Sequence, residues 1–302
     1  MRNHQPVRPR DNREQLVRTV LAGSIAPPRF HAEQLTASRD GSLTILPGHG
    51  GITLGLRAGD PVDALLGDHL LPGVALEDAD GQPADAGPLH QLSCVGNLVR
   101  DADGEPIGIV SGKRGGIAPG FWGPQHVVLD ALPDVIEKLT VGSRVNVLAE
   151  GRGLALPDWP NVTLLNCSPW LLDRLPWCGA GGLALPVRAI APSVAAGAGL
   201  GQDGWIGDLE IADAELSDSA GLRFGDLVAF QDVDSAHGRH YSPGYVSVGV
   251  VSHGPSDVPG HGPGVTILIS GPSQDLSVAL GSEAGLVAEA LRGWPNGENK
   301  TR

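Results

Sequence analysis

The chain has 302 residues, 41% of them hydrophobic, and a formal net charge of −13 from 21 basic and 34 acidic side chains. That apolar content suffices for a packed core and is too high for disorder, while the acidic excess repels nucleic acid over most of the surface. No apolar run approaches the ~18 residues of a membrane helix, no secretory signal opens the chain, and Cys94, Cys167 and Cys178 lack the Cys-x-x-Cys spacing of a disulfide framework or thiolate zinc site. The expectation is a cytoplasmic protein with reduced thiols and with neither nucleic acid nor membrane as partner.

Residues 1–40 read as a polar leader with one helical candidate, Asn12 to Ala22, carrying Leu16, Val17, Val20 and Leu21 and stopped by Pro27 and Pro28. From residue 43 onward, apolar runs of four to eight residues recur between Gly, Pro, Asp and Asn. They are Leu43–Leu46, Ile52–Leu56, Val74–Leu76, Leu92–Val99, Ile107–Val110, His126–Leu129, Val145–Leu148 and Val162–Leu165, then Ala184–Ile190, Leu209–Ala212, Leu227–Phe230, Tyr245–Val251 and Val265–Ile269. Short β-branched runs with turn punctuation predict strands. Helical signals are confined to Pro133–Leu139, Pro169–Leu175, Ser193–Ala198 and Glu283–Arg292. The expected fold is mainly β: two intimately packed β-rich parts, barrel-like or a layered sandwich, with a few short helices. The Gly-rich connector near 180 divides them into 41–180 and 181–302, the second ending in a short helix.

One repeat stands out. Pro47-Gly48-His49-Gly50-Gly51-Ile52-Thr53 and Pro259-Gly260-His261-Gly262-Pro263-Gly264-Val265-Thr266 place a glycine-flanked histidine before a similar strand. Flanking glycines permit positive φ and clear side chains from around the imidazole, which suits a ligand, a metal or close backbone approach. The alternative is a tight turn whose histidine caps a loop carbonyl. Asp68-His69 lies among Leu65, Leu66, Leu70 and Leu71, an acid–imidazole pair expected to be semi-buried, each partner serving the other or a metal. His253 stands eight residues before His261, near enough for the two rings to converge, whereas His237 and His240 sit in a solvated loop.

Lys113 and Arg114 follow a strand in Ser111-Gly112-Lys113-Arg114-Gly115-Gly116, which is no Walker loop but could hold a carboxylate or phosphate, or be an ordinary basic turn. Arg57-Ala58-Gly59-Asp60 and Arg223-Phe224-Gly225-Asp226 read as structural turns in which the Asp bonds its own loop. No Gly-x-Ser-x-Gly, Gly-x-Gly-x-x-Gly or His-Glu-x-x-His motif supports a serine hydrolase, a dinucleotide enzyme or a zincin.

Together, the Pro47–Thr53, Gly67–His69, Pro72–Val74, Gly112–Gly116, Pro133–Leu139 and Gly260–Val265 segments resemble the prokaryotic family known as domain of unknown function 4438, over about residues 43 to 275. The resemblance implies a mainly β, layered, oligomeric protein and no particular activity. The family's basic loop reads Gly-Lys-His-Gly-Gly, so Arg114 here removes one ligand from any four-histidine site. The Pro-Gly-His-Gly segments and Gly-Asp strand starts also resemble, by analogy only, acetamidase/formamidase-type hydrolases.

The sequence therefore predicts a homo-oligomeric enzyme that hydrolyses, or opens or closes a ring at, an amide or lactone of a small anionic metabolite. His49, His69 and His261 are the candidate metal ligands, zinc being the cofactor such a set allows. Asp68, His69, Lys113 and His253 are the candidate catalytic residues: Asp68 orients His69 or acts as base, Lys113 grips the anion, and His253 carries protons. The alternatives are a metal-independent His/Asp acid–base lyase, isomerase or cyclase, and a non-catalytic homo-oligomeric binding protein.

Overall fold

The computed structural model describes residues 8–28, 36–37, 40–79, 87–115, 125–179, 182–196, 208–212, 221–256 and 261–294. In chain order the strands are β1 Thr19–Ile25, β2 Thr36–Ala37, β3 Leu43–Thr44, β4 Ile52–Thr53, β5 Gly73–Asp78, β6 Leu98–Asp101, β7 Pro106–Arg114, β8 His126–Ala131, β9 Arg144–Ala149 and β10 Thr163–Leu164. They continue as β11 Leu183–Val187, β12 Ala189–Ala191, β13 Asp208–Glu210, β14 Leu227–Asp234, β15 His240–His253, β16 Gly264–Pro272 and β17 Leu276–Leu280. The helices are short: α1 Pro88–Leu92, α2 Pro133–Ile136, α3 Pro169–Leu172 and α4 Leu286–Arg292. None among the described residues is long and apolar enough to cross a membrane.

The first part is a closed six-stranded antiparallel barrel, β1-β9-β6-β7-β8-β5, sealed by pairing of β5 back to β1. Strand alternation fills it: Val74 and Leu76 from β5, Val127, Leu129 and Ala131 from β8, and Val145, Val147 and Ala149 from β9 share one buried cluster. This corrects the expected leader. Of the apolar positions at 16, 17, 20 and 21, Val17 and Val20 are exposed; it is Leu21, Gly23 and Ile25 that point inward, a period of two. The expected helix is a 3-10 turn, Arg13–Gln15, followed by the barrel strand β1. Helix α1 and strand β17 carried too few periodic residues to be expected at all.

The second part is a sheet ordered β10-β16-β15-β14-β12, with β13 sharing an edge of β16. It is apolar on both faces. Leu227, Ala229 and Val248 join one cluster with Val95, Ile109 and Leu164, while Val228, Phe230 and Ile267 join another with Leu56, Val62 and Leu70. Both clusters mix residues from before and after position 180, whereas the barrel interior keeps a cluster of its own.

Two devices fix how the parts meet. The duplicated turns bond their own backbones through Asp60 (Arg57 N–H, 2.8 Å) and Asp226 (Arg223 N–H, 3.0 Å). They also bond each other: Gly59 N–H donates to Phe224 O (2.7 Å) and Phe224 N–H to Asp60 O (3.0 Å). Elsewhere, just past a register shift between Val110 and Gly112, the Lys113 backbone, still paired with Val127, also reaches the second sheet. There its N–H donates to Thr266 Oγ1 (2.8 Å) and its carbonyl accepts from Ser252 Oγ (3.1 Å).

Candidate metal centre at the seam

The end of β7 therefore lies against the face of the second sheet that carries β13, the start of β16 and the end of β15. On β13, Asp208 and Glu210 are two residues apart and share this face, while Leu209 points into the apolar cluster behind. Across the sheet, Glu210 and His253 both lie opposite Gly264. Position 264 has to be glycine, because a Cβ there would fall on the His253 ring. Gly264→Ala is accordingly expected to cost about 1–3 kcal/mol of stability through overpacking, read by chemical denaturation.

A loop from the first part completes the site. Asp68 N–H donates to Pro47 O (2.8 Å), and His69 N–H donates to Pro255 O (3.1 Å), so this pair is pinned from both parts. Among the described residues, His69 is one of two non-glycines with positive φ (55°), a costly conformation held by those contacts.

Three imidazoles and three carboxylates interlock here. His69 Nδ1 is 2.8 Å from Asp68 Oδ1, and its Nε2 is 3.2 Å from Glu210 Oε1. His261 Nδ1 is 2.8 Å from Glu210 Oε2. The His69 ring stands 5.2 Å from that of His253 and 5.5 Å from that of His261, edge-on to both. Candidate ligand atoms of His69, Glu210 and His261 all lie within 4.8 Å of one another. Burial pushes the Glu210 carboxyl up, yet His261 and His69 against it hold it well below the usual carboxylate range. The Glu210 hydrogen bond raises His261 in turn.

His253 is fully buried, with Nδ1 2.8 Å from the carbonyl of Gly254 and Nε2 3.2 Å from both oxygens of Asp208. Both ring nitrogens face acceptors, an arrangement that favours the protonated ring. Burial lowers its pKa, but Asp208 and Glu210 outweigh that and the opposing Arg114 charge, and the net shift is upward. Asp208 also accepts from Gly115 N–H (3.0 Å), which ties the end of β7 to β13.

The expected residues divide as follows. His69 and His261 come together, with His253 and Asp68 beside them. His49 is not one of the three: it is wholly buried, with its ring 5.6 Å from that of His126. Its turn still serves the site, since Pro47 O holds Asp68 and Gly50 and Gly51 (φ 92° and 72°) make the bend. Lys113 is fully buried with Nζ on Asn166 Oδ1 (2.9 Å), and it is Arg114, on the other face of β7, whose charge couples to Asp208, Glu210 and Asp68. His240 stays local, bonded to Gly238 O.

Sequence reasoning missed Asp208, Glu210, His90 and His126. Asp208-Leu209-Glu210-Ile211 does alternate acid with aliphatic, a strand with charge on one face, and that signal was there to be read. His90, on α1, is fully buried; desolvation, then the Lys113 charge with those of His126 and Arg152, press its pKa well below 6.5 against the Arg114 backbone. It stays neutral in the fold, whereas the unfolded chain takes up its proton near pH 6.5, so stability is full above that pH and falls as acidification proceeds below it. His253 and His261, both raised, act in the opposite sense. Denaturation between about pH 7.5 and 5.5 should show a smaller acid loss in His90→Gln than in the unmodified chain.

A six-stranded antiparallel barrel packed against a second β-sheet, with interlocked histidines and carboxylates at their seam, is the class that fold and site define. The chain belongs to the DUF4438 family: the model of the family's N-terminal domain of unknown function matches residues 35–173, and that of its C-terminal domain matches 177–289. Among solved structures it is similar to the crystal structure of TM1086, at 32% identity and a TM-score of 0.85 over 94% of this chain and 100% of that one. Nothing among curated proteins matches it.

Proposed function

We propose that the protein is an enzyme that hydrolyses, or opens or closes a ring at, an amide or lactone bond of a small anionic metabolite, with a divalent cation held by His69, Glu210 and His261. The observation that carries this reading is the convergence of those three ligand atoms from segments remote along the chain. Two imidazoles and one carboxylate suit zinc and leave a coordination position for substrate or water. Asp68 on His69 Nδ1 is the partner a metal-binding imidazole needs, fixing the tautomer with Nε2 turned to Glu210.

A cation there would polarise a carbonyl oxygen and make a nearby water acidic. The protein's own groups do the rest. Arg114 offsets the charge of Asp68, Asp208 and Glu210. His253, held between Gly254 O and Asp208, keeps a proton beside His69 for a leaving nitrogen or oxygen. The free cysteines Cys94, Cys167 and Cys178 accord with a reducing cytoplasm, and exposed Leu43, Ile45, Leu54, Leu65 and Leu66 accord with self-association, for which size-exclusion mass is the check.

Metal analysis of untagged protein, followed by an amide and lactone panel before and after chelation, tests the reading. About one zinc per chain and chelator-sensitive turnover are expected. Turnover by metal-free protein would instead favour acid–base lyase, isomerase or cyclase chemistry, for which His253, set between Gly254 O and Asp208, is the specific support. Absence of both metal and turnover would leave a binding protein.

A further inference from the structure

The barrel end away from the seam has a cavity of its own. β7 runs from Pro106 to Arg114, roughly 25 Å at the usual rise per residue, so its start is remote from the strand end that meets the second sheet. Around that start, β6 ends at Asp101, β8 ends at Ala131 and β9 begins at Arg144. Helix α2 follows β8 and packs on the barrel: Ile136 joins the barrel's buried cluster, and Val135 and Leu139 lie against it. Beside this helix is a cavity of about 460 Å³, within the range of small-molecule sites. Ile107 and Val145, both buried, give it an apolar lining together with Val135 and Leu139. Four exposed charged residues complete it: Asp103 and Glu105 from the β6–β7 turn, and Lys138 and Arg144 from the segment joining α2 to β9. Among the described residues, none of these four side chains takes part in a hydrogen bond or an ion pair. The backbone that carries them is nevertheless fixed. Asp101 Oδ1 accepts Asp103 N–H (3.0 Å) and Glu105 N–H (2.9 Å), and Arg100 Nη1 donates to Gly104 O (2.6 Å). In the barrel ladders Arg144 lies opposite Ser24, and Val145 lies opposite Asp101.

From this arrangement we infer that the cavity beside α2 binds a small zwitterion with an aliphatic body, a free amino acid or a dipeptide. Lys138 and Arg144 take its carboxylate, Asp103 and Glu105 take its ammonium group, and Ile107, Val135, Leu139 and Val145 cover its side chain. Charge decides the class of ligand. With two free cations and two free carboxylates on one cavity, a ligand of a single sign meets two opposite charges and two like ones, whereas a zwitterion satisfies both pairs. A guanidinium also offers the paired N–H donors that match a carboxylate. Because the turn and the strand start are held by their own hydrogen bonds, little of the binding energy goes into ordering the backbone. This site is independent of the proposed metal centre and of the reaction assigned to it.

The probes are leucine and leucyl-leucine, the two sources of this chemistry, with N-acetylleucine and leucinamide as analogues that lack the ammonium and the carboxylate. Binding to the full chain is followed by calorimetry and by melting temperature at constant ionic strength. At least one of the two probes is expected to bind and to raise the melting temperature, and each analogue to bind at least about fivefold more weakly than leucine. The double variants Lys138→Gln with Arg144→Gln, and Asp103→Asn with Glu105→Gln, should each raise the dissociation constant at least about fivefold. The four side chains are exposed and unpaired, so the ligand-free variants should melt within about 2 °C of the unmodified protein. The probes carry no net charge, so a general change in surface charge would leave their binding alone. Indifference of the unmodified protein to both probes at ~50 mM, or unaltered binding by both double variants, overturns the inference. N-acetylleucine or leucinamide binding as tightly as leucine overturns the zwitterion assignment.

Discussion

Glu210→Gln is expected to reduce bound zinc from about one per chain to a small fraction of that, because an amide is a poor replacement for the anionic ligand between two imidazoles. Glu210 is the member of the cluster that touches both histidines, Oε2 at 2.8 Å from His261 Nδ1 and Oε1 at 3.2 Å from His69 Nε2. Asp68→Asn should act more gently, weakening zinc by roughly 10–100-fold, since it disturbs only the group that orients His69. His49→Ala should leave zinc stoichiometry unaltered, because its ring packs on His126 outside the triplet. Competition against a chromogenic chelator measures all three. Full zinc in Glu210→Gln, or zinc lost from His49→Ala and not from His261→Ala, would mean the ligands are assigned wrongly.

The second large effect is on stability. Asp130 sits on the outer face of β8, 1% exposed, with Oδ2 2.7 Å from Arg57 Nη2 and Oδ1 accepting Ala58 N–H at 2.9 Å. It fastens the first Gly-Asp turn, and through it the second sheet, to the barrel. Burial raises its pKa, and Arg57 with the Ala58 amide works against that rise. Asp130→Ala strands a buried guanidinium and a buried N–H together, so a loss of about 3–5 kcal/mol is expected in urea denaturation. Arg57→Met combined with Asp130→Leu should recover part of it by removing both charges, though the Ala58 amide still lacks its acceptor. A double variant no better than the single one would show that the carboxylate acts through Ala58 rather than through the ion pair.

Much of the architecture was readable in advance because local chemistry decides it. Strands form where β-branched runs stand between turn residues; α3 begins where Ser168 Oγ accepts Leu171 N–H (3.1 Å) ahead of Pro169. The Gly-Asp turns bond themselves as their residue types require. The misreading at residues 12–22 has a physical source: Leu16, Val17, Val20 and Leu21 fit a helical stripe as well as a strand beginning at Thr19, and only barrel closure, with β5 and β9 on either side of β1, selects the period of two.

The site was partly legible. Glycines around His261, the apolar setting of Asp68 and His69, and the short spacing of His253 from His261 marked four of its members. Asp208 and Glu210 alternate with aliphatic residues, but a carboxylate on a strand reads the same whether solvent or an imidazole lies opposite. The likeness of the two Pro-Gly-His-Gly segments pointed to a matched pair, whereas His49 went to His126 and only His261 went to the cluster.

By itself, then, the order of residues determined where most strands lie, which turns need glycine, and that Asp68 and His69 would be set among apolar neighbours, because those outcomes follow from contacts within a few positions. Which imidazole meets which carboxylate was decided only by the tertiary structure. Glu210 and His261 are 51 residues apart and Asp208 and His253 are 45 apart. What joins them is the side-by-side register of β13, β16 and β15 and the crossing of β7 over that face, and a pairing between strands carries no signature in either strand alone.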